Sequence, residues 1–373
     1  MVKFYIVQSA YTPNTAPTNR LLSFLQGFSD LGVDVEMVYL IPDSKKSKIA
    51  KSIPHVKVTY MWEKLPITNP YLSQLLYEYN SYRFVRSLYP GDKVFVYGKS
   101  RILFKLINKR GIKVYNEQTE HPDAYTLRTI NNDKYKESVC RLDGMFVIST
   151  ALKKYFKDEL NVDEDKITIV NMTVDSNRFI GLKKSSVERY IAYCGTASNN
   201  KDGVDELIKA FALVHKKHSD VKLYIIGKTP DKEDSAGNLR LIEELGIKDY
   251  VVFTGVVQAS EMPQILKDAE ILALDRPDSL QAQHGFPTKL GEYLLTENPV
   301  VVTKVGDIPL FVKDGETGLL SEERNPHEFS EKIIWALEHP EEAVEIGKRG
   351  AELALREFNY LNETKKILKA INQ

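Results

Sequence analysis

The segment IAYCGTASNNKDGVDELIKAF, residues 191–211, passes from a short apolar stretch through a polar loop into a pattern typical of an amphipathic helix. The apolar stretch begins with RYIAYC, residues 189–194, and has the length of a buried strand. From Val204 onward, apolar residues recur at helical spacing. The segment therefore predicts a strand, a loop and a helix in succession, which is the repeating unit of a parallel α/β sheet.

The same unit recurs along the whole chain. In the second half, strands are predicted at 189–194, 221–226, 250–254, 270–275 and 299–303, and helices at 203–217, 236–246, 260–268, 288–296 and from 326 to the end. In the first half, strands are predicted at 2–9, 33–40, 56–61, 92–98, 112–117, 144–149 and 167–172, with helices between most of them, for example at 19–31 and 151–160. Strands that alternate with helices predict βαβ units and a mainly parallel sheet.

The length of 373 residues corresponds to two α/β domains at roughly 100–200 residues each. A charged, serine-containing stretch near 173–188 is the expected linker. The predicted fold class is α/β, with two Rossmann-like domains that face each other across a cleft. Each open sheet presents a crevice at the carboxyl ends of its strands, so two facing crevices suit a reaction between two substrates.

Composition excludes several classes of protein. Lys and Arg together number 51, as do Asp and Glu, and this balance does not favour a nucleic-acid partner. Cys140 and Cys194 lie far apart and form no disulfide framework, which favours a cytoplasmic location. No apolar run reaches the roughly 18 residues of a transmembrane helix, so any membrane contact is expected to be peripheral.

Familiar cofactor motifs are missing from the sequence. No Gly-x-Gly-x-x-Gly follows the first strand, no phosphate-binding P-loop sequence occurs, and no His or Cys spacing is typical of zinc. No Asp-x-Asp is placed to hold a metal-bound diphosphate. We therefore expect neither a cofactor nor a metal, and a bound diphosphate would be met by helix N-termini and cationic side chains.

Two segments carry residues suited to that task. Gly195, at the end of a strand, allows the backbone to approach a ligand closely, and Lys201 at the head of the next helix could hold phosphate oxygens. The alternative for Lys201 is a surface lysine that precedes a helix.

The second segment is HGFPTKLGEYLL, residues 284–295. Pro287 suits a first helical turn, so the amides of Thr288, Lys289 and Leu290 are expected to be unsatisfied donors for an anion. Glu292, one turn further on, could accept two hydrogen bonds from the adjacent hydroxyls of a ribose. The alternative for Glu292 is a carboxylate that only faces solvent.

Together these segments resemble the family 4 retaining glycosyltransferases, which have the GT-B fold, and in particular bacterial members that act in polysaccharide biosynthesis. The resemblance covers almost the whole chain and is strongest in the second half. It is carried by GTASNNKDGVDELIKAF (195–211), VKLYIIG (221–227), YVVFTGVV (250–257), the Glu-x7-Glu region and its following turn (284–320), the interdomain sequence ITIVNMTVDSNRF (167–179) and the last helix FNYLNETKKILKAI (358–371). The chain departs from the family at four points. His284 stands at the first glutamate, Thr196 at an arginine and Pro287 where a glycine is common, and PNTAPTNR (13–20) replaces the N-terminal Gly-Gly loop.

The resemblance implies the domain organisation and the roles of particular residues. Residues 1–175 would bind the acceptor, residues 176–356 the nucleotide sugar, and residues 357–373 would form a helix that packs back on the first domain. Catalytic roles fall to His121, Lys201 and Glu292. The donor would be bound by Gly195, Thr196, Lys201, His284, Gly285, Phe286, Pro287, Thr288, Lys289, Leu290 and Glu292, and the acceptor side would include Asn19, Arg20 and Glu117.

The predicted activity is that of a hexosyltransferase-type enzyme that works without a metal and uses a nucleotide diphosphate sugar as its co-substrate. Lys201 and the amides at 288–290 would stabilise charge on the leaving diphosphate. His121 would orient the sugar or the acceptor hydroxyl, and its alternative is an exposed loop histidine. The acceptor would be a saccharide or a lipid-linked molecule, with the enzyme in the cytoplasm or peripheral to the inner face of the membrane. A nucleotide-sugar epimerase, a sugar phosphorylase and a non-catalytic nucleotide-sugar binder remain alternatives, the last because of His284 and Thr196.

Overall fold

A computed structural model describes residues 2–13, 15–42, 49, 52–62, 69–124, 132–228 and 232–373. The chain forms two compact units. Unit 1 contains the residues up to Thr173 together with Tyr360–Gln373, and unit 2 is Val174–Asn359.

Unit 1 is built on a parallel sheet of seven strands: β1 (Phe4–Gln8), β2 (Val35–Tyr39), β3 (Val56–Tyr60), β4 (Lys93–Val96), β5 (Lys113–Gln118), β6 (Gly144–Val147) and β7 (Ile167–Ile169). Their order in the sheet is β3-β2-β1-β4-β5-β6-β7. The helices of this unit are α1 (Ala16–Asp30), α2 (Pro70–Ser87), α3 (Leu103–Leu106), α4 (Asn132–Val139), α5 (Thr150–Asp158) and, from the end of the chain, α15 (Tyr360–Asn372).

The C-terminal helix α15 belongs to unit 1 because its apolar side completes the core there. Ile367 and Ile371 are buried in one cluster with Phe24 and Phe28 of α1. The two helices come so close that a Cβ atom at Gly27 would lie 2.2 Å from the Thr364 hydroxyl oxygen. Glycine is therefore required where α1 crosses α15.

Unit 2 contains a second parallel sheet, of six strands: β8 (Tyr190–Cys194), β9 (Lys222–Ile226), β10 (Val251–Gly255), β11 (Ile271–Leu274), β12 (Val300–Thr303) and β13 (Leu319–Ser321). Their order is β10-β9-β8-β11-β12-β13. The helices are α6 (Asn199–Asp202), α7 (Val204–His215), α8 (Lys232–Glu244), α9 (Met262–Asp268), α10 (Leu280–His284), α11 (Thr288–Leu295), α12 (Ile308–Phe311), α13 (Pro326–Glu338) and α14 (Pro340–Glu357).

The predicted α/β class with two Rossmann-like domains is confirmed, since both units are Rossmann-like and every strand predicted from hydrophobic patterning is present. The long helix α2 was not predicted. Its apolar residues surround the helix instead of forming one stripe, so the usual helical signal is weak. Within the described ranges, no helix has the length and apolar character needed to cross a bilayer.

Candidate functional site

The strand order of unit 2 places a crevice between two neighbouring strands. From β8 the sheet continues to β9 and β10 on one side and to β11, β12 and β13 on the other. The loops that leave β8 and β11 therefore separate at their carboxyl ends, and this switch point is where ligands bind in open α/β sheets. The loop after β8 contains the predicted residues Gly195, Thr196 and Lys201.

Gly195 allows the close approach that its position predicted, but the group that approaches is a side chain of the protein. A Cβ atom at Gly195 would lie 2.5 Å from the Lys289 Nζ atom. Any other residue here would displace the ammonium group. Thr196 is exposed, and its carbonyl oxygen accepts a hydrogen bond from the Tyr193 hydroxyl at 2.7 Å.

Lys201 lies in the short helix α6, which ends at Asp202 and is capped by Gly203. Gly203 has a φ of 60°, and a Cβ atom there would lie 1.8 Å from the carbonyl oxygen of Asp275. Only glycine fits this turn. The turn leaves Lys201 half-buried and directs the next side chain, Asp202, into the interior.

Lys289 and Asp202 form an ion pair beneath the loop, with Nζ 2.5 Å from Oδ2. The Tyr193 hydroxyl lies 2.7 Å from the same carboxylate oxygen and 3.2 Å from Nζ. Burial acts to raise the pKa of Asp202, but the charge and hydrogen bond of Lys289 outweigh it, and the pKa lies below its usual value. Asp202 is therefore ionised at neutral pH and fixes the ammonium group at the crevice.

Helix α11 begins where the sequence predicted, but one of the three amides that were expected to be unsatisfied has a partner. Pro287 immediately precedes the helix, which begins at Thr288. The Leu290 amide donates to the Pro287 carbonyl oxygen at 3.1 Å, so the prediction that this amide is unsatisfied is wrong. The first turn is tightened by a bond between residues three apart, which is common at helix ends. Thr288 and Lys289 remain the predicted anion contacts of this helix.

Glu292 lies one turn into α11 and is half-buried. Its carboxylate forms an ion pair with Arg178, which lies in a single 3-10 turn, Ser176–Phe179. Arg178 also donates to the carbonyl oxygen of Ala259 at 3.0 Å. Sequence reasoning missed this arginine, although it belongs to the interdomain sequence that carried the family resemblance.

Four charged side chains of this crevice act electrostatically on one thiol. Burial raises the pKa of Cys194, the last residue of β8, to about 12. The side chains whose charges also act on it are Lys289, Glu292, Arg178 and Asp202. Lys289 and Glu292 lie on α11 and are paired with Asp202 and Arg178, respectively, and we call these four residues the crevice cluster. Tyr293 fixes it to the sheet, because its hydroxyl accepts a hydrogen bond from the Cys194 amide at 2.6 Å.

Other predicted donor residues are packed into the interior. Phe286 contacts the rings of Phe311 and Phe358, with centroids 5.5 Å away in each case. Leu290 is fully buried, and Gly285 and Pro287 are buried as well. His284 ends α10, with its Nδ1 atom 3.0 Å from the Leu280 carbonyl oxygen. The four buried residues, Gly285, Phe286, Pro287 and Leu290, shape the loop and the start of α11. For these four and for His284, contact with a donor stays a prediction.

In unit 1, Arg20 and Glu117 are buried against each other. The Nε atom of Arg20 donates to Glu117 at 2.9 Å, and its two terminal nitrogens donate to the carbonyl oxygens of Val170 and Asn171 at 2.8 and 2.6 Å. Burial raises the pKa of Glu117, against the pull of Arg20. Asn19 is exposed beside them. The structure thus explains Arg20 and Glu117 as a structural pair, and their role towards an acceptor stays a prediction.

His121 is buried, so the alternative of an exposed loop histidine is wrong. Its ring lies 4.1 Å from the ring of Tyr155, and its Nδ1 atom accepts a hydrogen bond from the Asp123 amide at 3.2 Å. With that nitrogen accepting, a proton on the neutral ring resides on Nε2. A role of His121 at the transferred sugar stays a prediction, as does metal independence. No cluster of three or more potential metal-binding acids, histidines or cysteines occurs among the residues whose placement is described.

Comparisons with known proteins show which family and which fold this chain is similar to. Residues 188–339, which include the crevice cluster except Arg178, match the family described as Glycosyl transferases group 1. The D-inositol 3-phosphate glycosyltransferase of Corynebacterium glutamicum (strain R) is 23% identical over 267 residues, which are 64% of this chain and 62% of that protein. The trehalose synthase of Thermococcus litoralis is 26% identical over 241 residues, 59% of this chain and 56% of that protein. The chain thus spans about three fifths of the length of these curated relatives.

The fold is shared along the entire chain with a solved structure. The crystal structure of Anabaena HepE in complex with UDP superposes with a TM-score of 0.76, at 17% identity and with 100% of each chain covered. This superposition establishes the two-domain GT-B fold. At such low identity it says nothing about the reaction, which has to be argued from the residues of this chain.

Proposed function

We propose that this chain, whose residues 188–339 match the group 1 glycosyl transferases, moves a sugar from a nucleotide diphosphate sugar to a saccharide or lipid-linked acceptor, with retention at the anomeric carbon. The proposal rests on the crevice cluster. An ammonium group held by a buried carboxylate lies at the switch point of the sheet, and a half-buried carboxylate lies one helical turn away. This is the arrangement that a diphosphate joined to a ribose requires.

The proposed donor is a UDP-sugar. HepE, which shares the fold, has been solved with UDP. Unit 2 would hold the nucleotide, because Lys289 and Lys201 would pair with phosphate oxygens while Glu292 accepts hydrogen bonds from the ribose hydroxyls. Arg178 would stay on the other side of the Glu292 carboxylate and fix its orientation. A carboxylate has two oxygen atoms and about four acceptor positions, so both partners can be accommodated.

In the proposed reaction, the bond between the anomeric carbon and the diphosphate breaks while the acceptor hydroxyl forms a new bond on the same face of the sugar. The hydroxyl proton moves to an oxygen of the departing diphosphate. Charge grows on that diphosphate in the transition state, and the two lysines with the first amides of α11 stabilise it there. His121 would orient the sugar or the acceptor hydroxyl.

The second candidate is a protein that binds a nucleotide sugar without turning it over. Thr196 favours it, since an exposed threonine supplies no charge where the family has an arginine. Lys289 offers an answer to that loss, because its ammonium group lies against the adjacent Gly195. The lysine would then stand in for the missing guanidinium.

Two measurements test the proposal. A thermal-shift panel of UDP, GDP, ADP and CDP sugars should show the largest rise in melting temperature with a UDP-sugar, because ligands that bind the native state stabilise it. Release of UDP from that sugar should then continue in excess chelator. Strong stabilisation without any release, even with saccharide acceptors, would establish the inert binder. Turnover that stops with chelator and returns with manganese would contradict the metal-independent mechanism.

A matched control guards against non-specific binding of an anion by lysines. Lys216, at the end of α7, is exposed and distant in sequence from the crevice cluster. Lys216→Met should bind and turn over the donor as the wild type does.

The proposed cytoplasmic location is favoured by the free cysteines Cys140 and Cys194, and fractionation of cells would test it.

A further inference from the structure

Helix α2 of unit 1 exposes an unusual number of large apolar side chains. The exposed fractions are 83% for Tyr71, 66% for Leu75 and 57% for Tyr79, and 54% for both Leu72 and Tyr82. Single exposed apolar residues are normal on protein surfaces, but a row of them on one helix points to a binding surface.

The orientation of α2 is fixed by its opposite side. Leu76, Tyr77 and Phe84 are buried, the Tyr77 hydroxyl donates or accepts a hydrogen bond with Ser100 at 2.8 Å, and the Asn80 amide donates to the Leu40 carbonyl oxygen at 2.7 Å. The exposed residues follow one another at steps of three and four and therefore share one face. We call this face, formed by Tyr71, Leu72, Leu75, Tyr79, Tyr82, Arg83 and Arg86, the α2 face. An apolar stripe that points away from the core gains nothing from the fold of unit 1.

The charge on the α2 face is positive. Arg83 lies over the ring of Tyr79 and Arg86 over the ring of Tyr82, each at 5.5 Å, and Arg86 donates to the Tyr82 hydroxyl at 3.1 Å. The helix contains a single acidic residue, Glu78, which is neutralised by an ion pair with Lys105. The face therefore offers two guanidinium groups without a competing carboxylate on the same helix.

We propose that the α2 face docks unit 1 on the surface of an anionic lipid bilayer. Tyrosine places an apolar ring in the boundary region and keeps its hydroxyl in water, which is why it is enriched at membrane interfaces. Leucines at the centre of the face enter the acyl boundary, as in amphipathic helices that lie in the membrane plane. The guanidinium groups, already arranged beside the rings, bind the phosphates of the headgroups.

The same charges disfavour a second copy of the chain as the occupant. A twofold contact brings each patch against its own equivalent, so the arginines of one copy would meet those of the other. An anionic surface meets no such repulsion. Docking by the α2 face goes beyond the proposed sugar transfer and needs none of the crevice cluster, so either can fail without the other.

Flotation with lipid vesicles tests the docking directly. The full chain should bind vesicles of phosphatidylglycerol and phosphatidylcholine, bind pure phosphatidylcholine much more weakly, and dissociate at high salt. Arg83→Gln with Arg86→Gln should weaken binding on the order of thirtyfold, since each basic residue near an anionic surface contributes about fivefold. Leu75→Ser with Tyr79→Ser should weaken binding to a similar degree.

A matched control uses an equally exposed leucine elsewhere. Leu239 in unit 2 is 54% exposed, and Leu239→Ser should leave vesicle binding unchanged. Every variant should retain the melting temperature of the wild type and its release of UDP from a soluble donor. Wild-type binding that is absent, or equal in the α2 variants, would overturn the proposal. A concentration-dependent dimer that the α2 variants abolish would overturn it too and assign the face to self-association.

Discussion

Both units bury an ion pair near the ends of their central strands, but the two cations differ in how far they are exposed and in how many of their hydrogen bonds are made within the unit. In unit 1, the Arg20 and Glu117 side chains are 3% and 1% exposed, and the three guanidinium nitrogens all donate within the unit. In unit 2, Asp202 is 2% exposed, whereas Lys289 keeps 17% of its side-chain surface. The carboxylates are equally buried, so the cation alone makes the difference.

This difference in exposure suggests two roles. The Arg20–Glu117 pair is structural, whereas the Lys289–Asp202 pair, whose cation can still contact a ligand, is called the prepared pair below. Arg20 connects β5 to the residues that directly follow β7, and each of its three side-chain nitrogens already donates a hydrogen bond. Lys289 is held by one carboxylate and one hydroxyl, and an ammonium group has three donors. A bound phosphate could use the remaining one without breaking the pair.

The largest effect is expected from the structural pair. Arg20→Met leaves the Glu117 carboxylate buried without its cation, and breaking a buried pair in this way costs about 3–5 kcal/mol of stability. Chemical denaturation should show an early unfolding transition of unit 1. The double change of Arg20→Met with Glu117→Gln should recover part of the loss, because the buried charge is then gone. A stable Arg20→Met protein that loses only transfer activity would instead make Arg20 an acceptor-binding residue.

The next effect concerns the prepared pair. Lys289→Met should weaken the binding of UDP by about 10- to 100-fold, since hydrogen bonds to charged groups are worth about 1.5–3 kcal/mol. Binding of uridine, which lacks phosphates, should change little, and calorimetric titration measures both. Lys304→Met is the control, because Lys304 forms an exposed pair with Glu322 in the same unit. Equal losses for UDP and uridine would show that Lys289 supports the fold of the site and makes no phosphate contact.

The sequence was sufficient for most of the fold and for part of the site. Apolar runs such as those of β8 and β12 report burial on both sides of a parallel sheet, so their positions could be predicted locally. The place of Glu292 one turn into a helix also follows from local spacing. Asp202, Tyr193 and Arg178 could not be found in this way, because their roles arise only when β8, α6 and the 3-10 turn Ser176–Phe179 pack near α11. Helix α2 was not predicted because of a local feature of its sequence. Its outward face is as apolar as its inward face, so no amphipathic pattern marks it as a helix.

The third prediction tests Glu292. Glu292→Ala should weaken UDP binding about tenfold, because one carboxylate that accepts from both ribose hydroxyls contributes at least about 1.4 kcal/mol. Glu292→Gln, which keeps one acceptor oxygen, should lose less. A 2′,3′-dideoxy nucleotide should bind the wild type poorly and lose little more in the Ala variant. If it loses as much as the ribose form, Glu292 does not contact the ribose.

Arg178 supplies the matched comparison for Glu292. Arg178→Met removes the partner that orients the carboxylate and leaves the carboxylate itself, so the loss of UDP affinity should be smaller than for Glu292→Ala. A loss that vanishes for the dideoxy nucleotide would assign the arginine its role through Glu292. An equal loss for both nucleotides would mean that Arg178 acts on the fold or binds the phosphates directly.

The smallest expected effect is a gradual change of stability with pH that comes from Asp275, which follows β11. The pKa of Asp275 is shifted in the direction opposite to that of Asp202. Both carboxylates are buried, but Asp275 has no cation in contact, and its Oδ2 atom has no hydrogen-bond partner among the residues described. Burial, with the charges of Glu206 and Asp205 added, raises the pKa of Asp275 well above its usual value. The folded protein therefore keeps a proton on Asp275 in a range of pH where the unfolded chain, with a pKa of about 4, has released it.

Stability should consequently fall as pH rises above about 4, by at most about 1.4 kcal/mol per pH unit from this group, until the folded pKa is passed. Asp275→Asn cannot titrate and resembles the protonated acid in shape. The free energy of unfolding of Asp275→Asn, relative to the wild type, should therefore increase with pH over this range. Asp249→Asn, an exposed control in the same unit, should follow the wild type at every pH. Parallel curves for Asp275→Asn and the wild type would show that Asp275 is ionised when folded, and that Lys209, the positive charge that acts on it, compensates for its burial as Lys289 does for Asp202.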